Sequence, residues 1–196
     1  MSSGAAEPQP EAYGPEGDPA RHLPLDELVA RVRSLPLPPR DSGRLHLIVR
    51  RHAAGTRETL DRARLTAEGG MPGDRWGRKL PVNSEAQLTV MRRDIAEVIA
   101  NGQPLTMFGD NLFVDLDISA ENLPVGTRAW FGDALLEVTP KPHNGCLKFK
   151  GRFGQDALEF VQAKETRSQN YRGIYFRVVE AGEARVGASI SVIRTA

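Results

Sequence analysis

The residues best suited to chemistry fall in one stretch, Lys141-Pro-His-Asn-Gly-Cys-Leu-Lys-Phe-Lys-Gly-Arg-Phe-Gly154. It carries the only cysteine of the 196-residue chain, Cys146, with His143 three positions before it. Lys141, Lys148, Lys150 and Arg152 surround the thiol, and no acidic residue occurs between Glu137 and Asp156. The thiolate is the nucleophilic and metal-binding form of cysteine, and neighbouring cations favour it. The glycines and Pro142 predict a loop, the kind of segment that carries function on a rigid scaffold. The stretch is therefore expected to place a thiol in a cationic, anion-accepting pocket, with Gly145 letting the backbone approach a ligand.

Each of these residues also has a plainer reading. A lone cysteine is often an inert buried hydrophobe. His143 could move protons, ligate a metal together with Cys146, or simply hydrogen-bond to backbone. Two donors do not fill a zinc site, and His22, His46 and His52 show no ligand spacing. A soft metal bound by Cys146 would therefore need further ligands from a cofactor. Lys148 and Lys150 alternate with Leu147 and Phe149, which also suits the solvated face of a short strand. Arg152, set between glycines, is better placed to pair with phosphate or carboxylate. Two further sites, Gly73-Asp74-Arg75-Trp76 and Gly109-Asp110-Asn111-Leu112, have the chemistry of turns. Neither has the glycine spacing of a phosphate-cradling loop or a dinucleotide fingerprint, and no Gly-x-Ser-x-Gly elbow supports a serine hydrolase.

Composition narrows the field. Lys plus Arg number 26 against 25 Asp plus Glu, so no bulk electrostatic attraction to nucleic acid or membrane is expected. One cysteine excludes an internal disulfide framework. The N-terminal residues lack the basic and apolar regions of a secretory signal, and no apolar run reaches membrane-spanning length. Together these favour the reducing cytoplasm, where a lone thiol stays free.

The elements that must position the stretch are read from hydrophobic periodicity. Residues 1–22, rich in Pro, Gly, Ala and Glu, are expected to be a disordered tail. Residues 23–43 read as an amphipathic helix, with Leu25, Leu28, Val29, Val32 and Leu35 on one face, followed by a proline-rich linker. Residues 44–196 form the folded domain. Its first strand, Arg44–Arg51, should set Leu45, Leu47 and Val49 on one side. Arg57–Leu65 reads as one further strand, followed by a long Gly- and Pro-rich loop to Asn83. QLTVM is a strand, and RRDIAEVIANG a helix stopped by Asn101-Gly102. LFVDLDI is a strand, TRAWFGDALLEVT a hairpin turning at Gly132-Asp133, and QDALEFVQAKE a helix. The C-terminal stretch from Gly173 reads as two strands joined through Glu180–Glu183. Short strands with frequent turns and few helices predict a mainly β, barrel-like domain.

At this point the residues resemble a known family. GDRWG, FGDNLFVDLDIS and LPVGTRAWFGDALLEVTPKPHNGC, within a span from about Leu45 to Ile193, are similar to the MOSC domain, named for the C-terminal part of molybdenum cofactor sulfurase. FGDNL stands where the family commonly has glutamate in place of Asp110, and Cys146 takes the place of the family's characteristic cysteine. The resemblance implies a barrel-like fold and binding of molybdenum cofactor (molybdopterin). It also implies either sulfur carried on Cys146 or molybdenum-dependent reduction of N-hydroxylated compounds, with Cys146 as the metal ligand. Arg152, Lys148, Asn111, Asp110 and Asn144 are then cofactor-binding candidates, and Cys146 and His143 the catalytic ones. Pyridoxal phosphate belongs to the desulfurase fused ahead of the module in full-length sulfurases and is not expected here. No flavin or iron–sulfur motif is present, so electrons or sulfur would come from a partner protein. The alternatives are a non-catalytic module that binds a small anion or a protein and keeps a structural cysteine, and a metal-free thiol enzyme acting on electrophiles.

Overall fold

The computed structural model describes residues 17–52, 55–78 and 81–194. Ten strands are present among them: β1 Ser42–Arg51, β2 Arg57–Leu60, β3 Arg62–Leu65, β4 Leu88–Arg92, β5 Leu112–Val114, β6 Arg128–Phe131, β7 Ala134–Val138, β8 Ile174–Glu180, β9 Gly182–Arg185 and β10 Ser189–Val192. Seven of them close into a barrel in the order β1, β10, β6, β7, β8, β4, β5 and back to β1. Closure is made by Ser42–Arg44 against Ser189–Ser191, antiparallel. All neighbours are antiparallel except β4 and β5, which run parallel. β2 pairs with the far half of β1, and β3 with β9 in a separate two-stranded sheet. Closure removes the open edges that a sheet would otherwise expose.

Two apolar cores follow from strand alternation. Leu45, Ile48, Val90, Leu112, Val114, Phe131, Leu136 and Phe176 fill the barrel. Val49, Met91 and Phe113 point outward, under a layer of four helices: α1 Leu25–Arg33, α2 Arg93–Ala100, α3 Leu147–Phe153 and α4 Gln155–Gln162. Phe108 is central to this layer, stacked on Phe153 at 4.1 Å and edge-on to Phe149 and Phe113. Burial of such side chains contributes about 1.5–3 kcal/mol each.

Several expectations are corrected. On β1 the register shifts between Leu45 and Leu47, so a bulge sends Leu47 and Val49 to the helical layer while Leu45 and Ile48 stay inside. Arg57–Leu65 is two strands broken at Asp61, because β3 leaves the barrel to pair with β9. The C-terminal stretch is three strands, not two. Residues 1–16 of the expected tail lie outside the described residues, but 17–22 are ordered. Pro19–Arg21 form a 3₁₀ turn, and the Gly17 and Asp18 N–H groups donate to Gly151 O (2.6 Å) and Gln103 Oε1 (2.9 Å). Most importantly, the expected loop around Cys146 is a loop only as far as Cys146. α3 begins at Leu147, and Gly151 lies inside it. Phe149, Arg152 and Phe153 are its buried face, a helical spacing that defeats the strand reading of Lys148 and Lys150.

Candidate functional site

One end of the barrel opens into a cleft of about 390 Å³. The end of β1 supplies Arg51, the start of β2 Arg57, and the 3₁₀ turn Arg75–Arg78 supplies Arg75 and Trp76. Thr89 of β4 and Gly109 form part of the wall. The segment after β7 brings His143 and Cys146, α3 brings Lys148, Phe149 and Arg152, the turn before β8 brings Arg172, and β8 brings Tyr175. Five arginines and one lysine thus face one cleft, and among the described lining residues there is no carboxylate.

Two buried acids beneath the lining hold this charge in place. Asp74 clamps Arg51: Oδ2 accepts from Nη2 at 2.6 Å, and Nε lies 3.1 and 3.2 Å from the two oxygens. Asp74 also accepts from the backbone N–H groups of Arg51 and Trp76, which draws the Gly73–Trp76 turn onto the barrel. Burial alone would raise the Asp74 carboxyl, but the hydrogen bonds and charge of Arg51 outweigh it and hold it below the ordinary value. Asp110, fully buried, accepts from Arg172 Nη1 at 2.6 Å. Here burial dominates and pushes the carboxyl up, with Arg172 opposing. The Arg172 guanidinium lies 5.1 Å from the centre of the Phe149 ring, within cation–π range.

Arg57 packs against Gly109, where a Cβ would stand 2.9 Å from Nη2. Gly109 also has a positive φ of 78°, so glycine is required twice over. Burial, then the charges of Arg51 and Arg75, lower Arg57 to about 10, leaving it a cation at neutral pH. Arg152 donates to Met107 O at 2.7 Å; burial and then Arg172 lower it. The cleft is a concentrated positive field in a low-dielectric wall, the electrostatic form of an anion site.

His143 sits between Asp110 and Tyr175. Its ring centroid is 4.6 Å from that of Tyr175, and Nδ1 is 3.6 Å from Asp110 Oδ1. Burial, then Arg172 and Arg51, push the imidazole well below its ordinary value, so it is neutral at pH 7. Gly173 makes the room: a Cβ there would lie 2.5 Å from Val90 O and 3.3 Å from His143 Nδ1.

Of the residues singled out from sequence, Cys146, His143, Lys148 and Arg152 line the cleft together. Asp110 lies beneath it, against His143 and Arg172. Asn111 is a structural clamp instead of a lining residue. Its Oδ1 accepts from the Thr89 N–H and hydroxyl, and its Nδ2 donates to Val49 O and Asp74 Oδ1. Asn144 lines a separate depression with Gln162 and Arg167. Gly145 serves packing, since a Cβ there would collide with Leu158 of α4. Cys146 is exposed, so the reading of an inert, buried cysteine does not hold. Sequence reasoning missed Arg51, Arg57, Arg172 and Tyr175, and took Asp74 and Arg75 only as parts of a turn. Asn170-Tyr171-Arg172-Gly173, a turn sequence ending in a glycine with φ of 94°, was the available signal for Arg172.

Known proteins place this architecture. The solved structure of the YuaD protein from Bacillus subtilis superposes with a TM-score of 0.58 at 15% identity, covering 77% of this chain and 95% of that one. YiiM from Escherichia coli superposes with a TM-score of 0.50 at 19% identity, covering 78% and 71%. These likenesses concern the fold. In sequence, 86 residues, 44% of this chain, are 30% identical to the uncharacterized protein YflK of Bacillus subtilis (strain 168), and they span 36% of that relative's length. The profile of the MOSC domain matches residues 73–191, more than half of the chain, and takes in Asp74, Asp110, His143, Cys146 and Arg172 alike. The matched segment begins after β1 and β2, which supply Arg51 and Arg57, and takes in the other lining residues of the cleft; the chain belongs to the MOSC domain family.

Proposed function

We propose that the cleft binds a molybdopterin-type cofactor, with Cys146 as a thiolate donor to its metal or as the carrier of transferable sulfur. The observation that carries this reading is the exposed thiol sharing one cleft with six cations and no lining carboxylate. Among the described residues no group of three His, Cys, Asp or Glu could hold a metal. Cys146 is thus a single donor, and it suits a metal that arrives with its own sulfur ligands. The volume of about 390 Å³ is in the range of small-molecule sites. Arg57, Arg75 and Lys148 would hold the anionic groups, and Arg51, fixed by Asp74, would add positive field. When bound, such a cofactor would supply a redox-active or sulfur-bearing metal. The chain would supply the anion cradle, the thiolate and a neutral imidazole, with electrons or sulfur coming from a partner protein.

The test is expression in a host that makes molybdopterin, with molybdenum measured by mass spectrometry and pterin by fluorescence. Both should co-purify with the wild type, and Arg57→Ala should lower both. Cys146→Ser should keep the pterin and lose molybdenum if the thiolate is a ligand. Persulfide trapping on Cys146 tests the carrier role separately. A wild-type protein free of both metal and pterin would refute the proposal. The exposure of Cys146 also supports a metal-free thiol enzyme, which would show thiol-dependent turnover of an electrophile after chelation.

A further inference from the structure

Two buried polar atoms in the cleft wall face each other without partners. His143 Nδ1 and Asp110 Oδ1 are both sealed from solvent and make no hydrogen bond, yet they lie 3.6 Å apart. The remaining ring nitrogen, Nε2, is not among the sealed atoms, and the ring lines the cleft. Sealed, unpaired groups of this kind are costly in a folded protein and point to a role beyond packing.

We infer that Asp110 is a positioning residue for His143: its Oδ1 holds the imidazole as the tautomer protonated at Nδ1, and leaves the Nε2 lone pair to accept a hydrogen bond or proton from a ligand in the cleft. The geometry is fixed from both sides. Arg172 Nη1 at 2.6 Å holds the other carboxylate oxygen, and Oδ1 is the oxygen that lies toward the ring. Tyr175 backs the imidazole, and Gly173 has no side chain to intervene. The charged groups facing the ring are Arg172 and Arg51 as cations and Asp110 as the acid. With Nδ1–H directed at a carboxylate, the ring is an acceptor at Nε2, the polarity that a carboxylate imposes on a histidine in hydrolytic triads. The ligand class this selects carries an N–H, O–H or S–H donor beside its anionic group. If the proton transfers, the donor–hydrogen bond breaks, an Nε2–H bond forms, and the imidazolium charge is met by Asp110. No oxidant or reductant is involved.

The inference is independent of which ligand the cleft takes, and cofactor-free protein suffices to test it. Long-range proton–nitrogen correlation spectra at neutral pH, with the His143 ring assigned by its loss in His143→Gln, should show Nδ1 protonated and Nε2 bare. In Asp110→Asn, Arg172 keeps the side-chain carbonyl oxygen, which turns the amide NH₂ onto Nδ1. The tautomer should then reverse, with the Nε2 resonance moving from the pyridine-like to the pyrrole-like position. Asp110→Glu, which keeps a carboxylate, should preserve the wild-type form. A wild-type ring protonated at Nε2 overturns the inference, even if no variant folds. So does a folded Asp110→Asn protein with an unchanged tautomer, the result expected if Asp110 merely neutralises Arg172.

Discussion

Asn111→Ala should cost stability, not ligand contacts. The side chain is fully buried and makes four hydrogen bonds: to the Thr89 N–H at 3.1 Å, the Thr89 hydroxyl at 3.0 Å, Val49 O at 3.2 Å and Asp74 Oδ1 at 3.1 Å. It ties β1, β4 and the Asp74 turn to the start of β5. Two of its partners keep other bonds, Asp74 with Arg51 and the Thr89 hydroxyl with the Asn111 N–H. The main-chain Thr89 N–H and Val49 C=O each lose the bond that Asn111 gives them. At about 1–3 kcal/mol for each buried group so deprived, the loss centres on roughly 4 kcal/mol. With a urea slope of about 2 kcal/mol/M, the unfolding midpoint should fall by roughly 2 M at unchanged slope. Urea titration followed by tryptophan fluorescence reads this directly. A fall of less than about 0.5 M at unchanged slope would refute the clamp reasoning, all the more if molybdenum and pterin retention collapsed in the same variant.

Three further outcomes can be checked. Cys146→Ser should change stability by no more than about 0.5 kcal/mol, because the side chain is exposed, and intact-mass analysis should show native Cys146 alkylated without denaturant. Asp74→Asn should cost about 3 kcal/mol at pH 7 by stranding Arg51. The folded carboxyl lies below its ordinary 3.8, so its contribution is complete above that pH and disappears as pH falls below it; thermal melts of wild type and variant should converge there. For His143 the folded ring resists the proton that the unfolded ring takes up near 6.5, so wild-type stability should decline as pH falls below 6.5, and His143→Gln should remove that part of the slope.

Local chemistry was legible in the sequence, and long-range partnership was not. Gly132, with a φ of 61°, and Asn101-Gly102, both left-handed, announce a hairpin turn and a helix end from two residues each. Hydrophobic spacing announces α1, α2 and α4. The Cys146 stretch was visible because its charges are contiguous. The arginines that make most of the cleft were not, since the identity of each depends on a partner far along the chain. Arg51 meets Asp74 23 positions away, and Asp110 meets Arg172 62 positions away. Arg152 shows the reverse error. Flanking glycines suggested exposure, yet Gly151 is helical and Arg152 is buried. The bulge on β1 reversed the facing of Leu47 and Val49, a shift that no alternation pattern can register in advance.

Closure of the barrel between Ser42–Arg44 and Ser189–Ser191 has a kinetic consequence. The ring cannot shut until a strand near residue 190 finds one near residue 43, so loop-closure entropy is met late and over a long stretch of chain. Of the cleft cations, Arg51 ends β1 and Arg57 starts β2, while Arg75, Lys148, Arg152 and Arg172 sit on turns and a helix packed against the barrel that this event completes. The anion site therefore comes into being at the close of folding, and a bound anion holds only the closed species. By mass action, a ligand at 100 times its dissociation constant would stabilise the fold by about 2.7 kcal/mol, so the melting temperature itself becomes a gauge of what the cleft accepts.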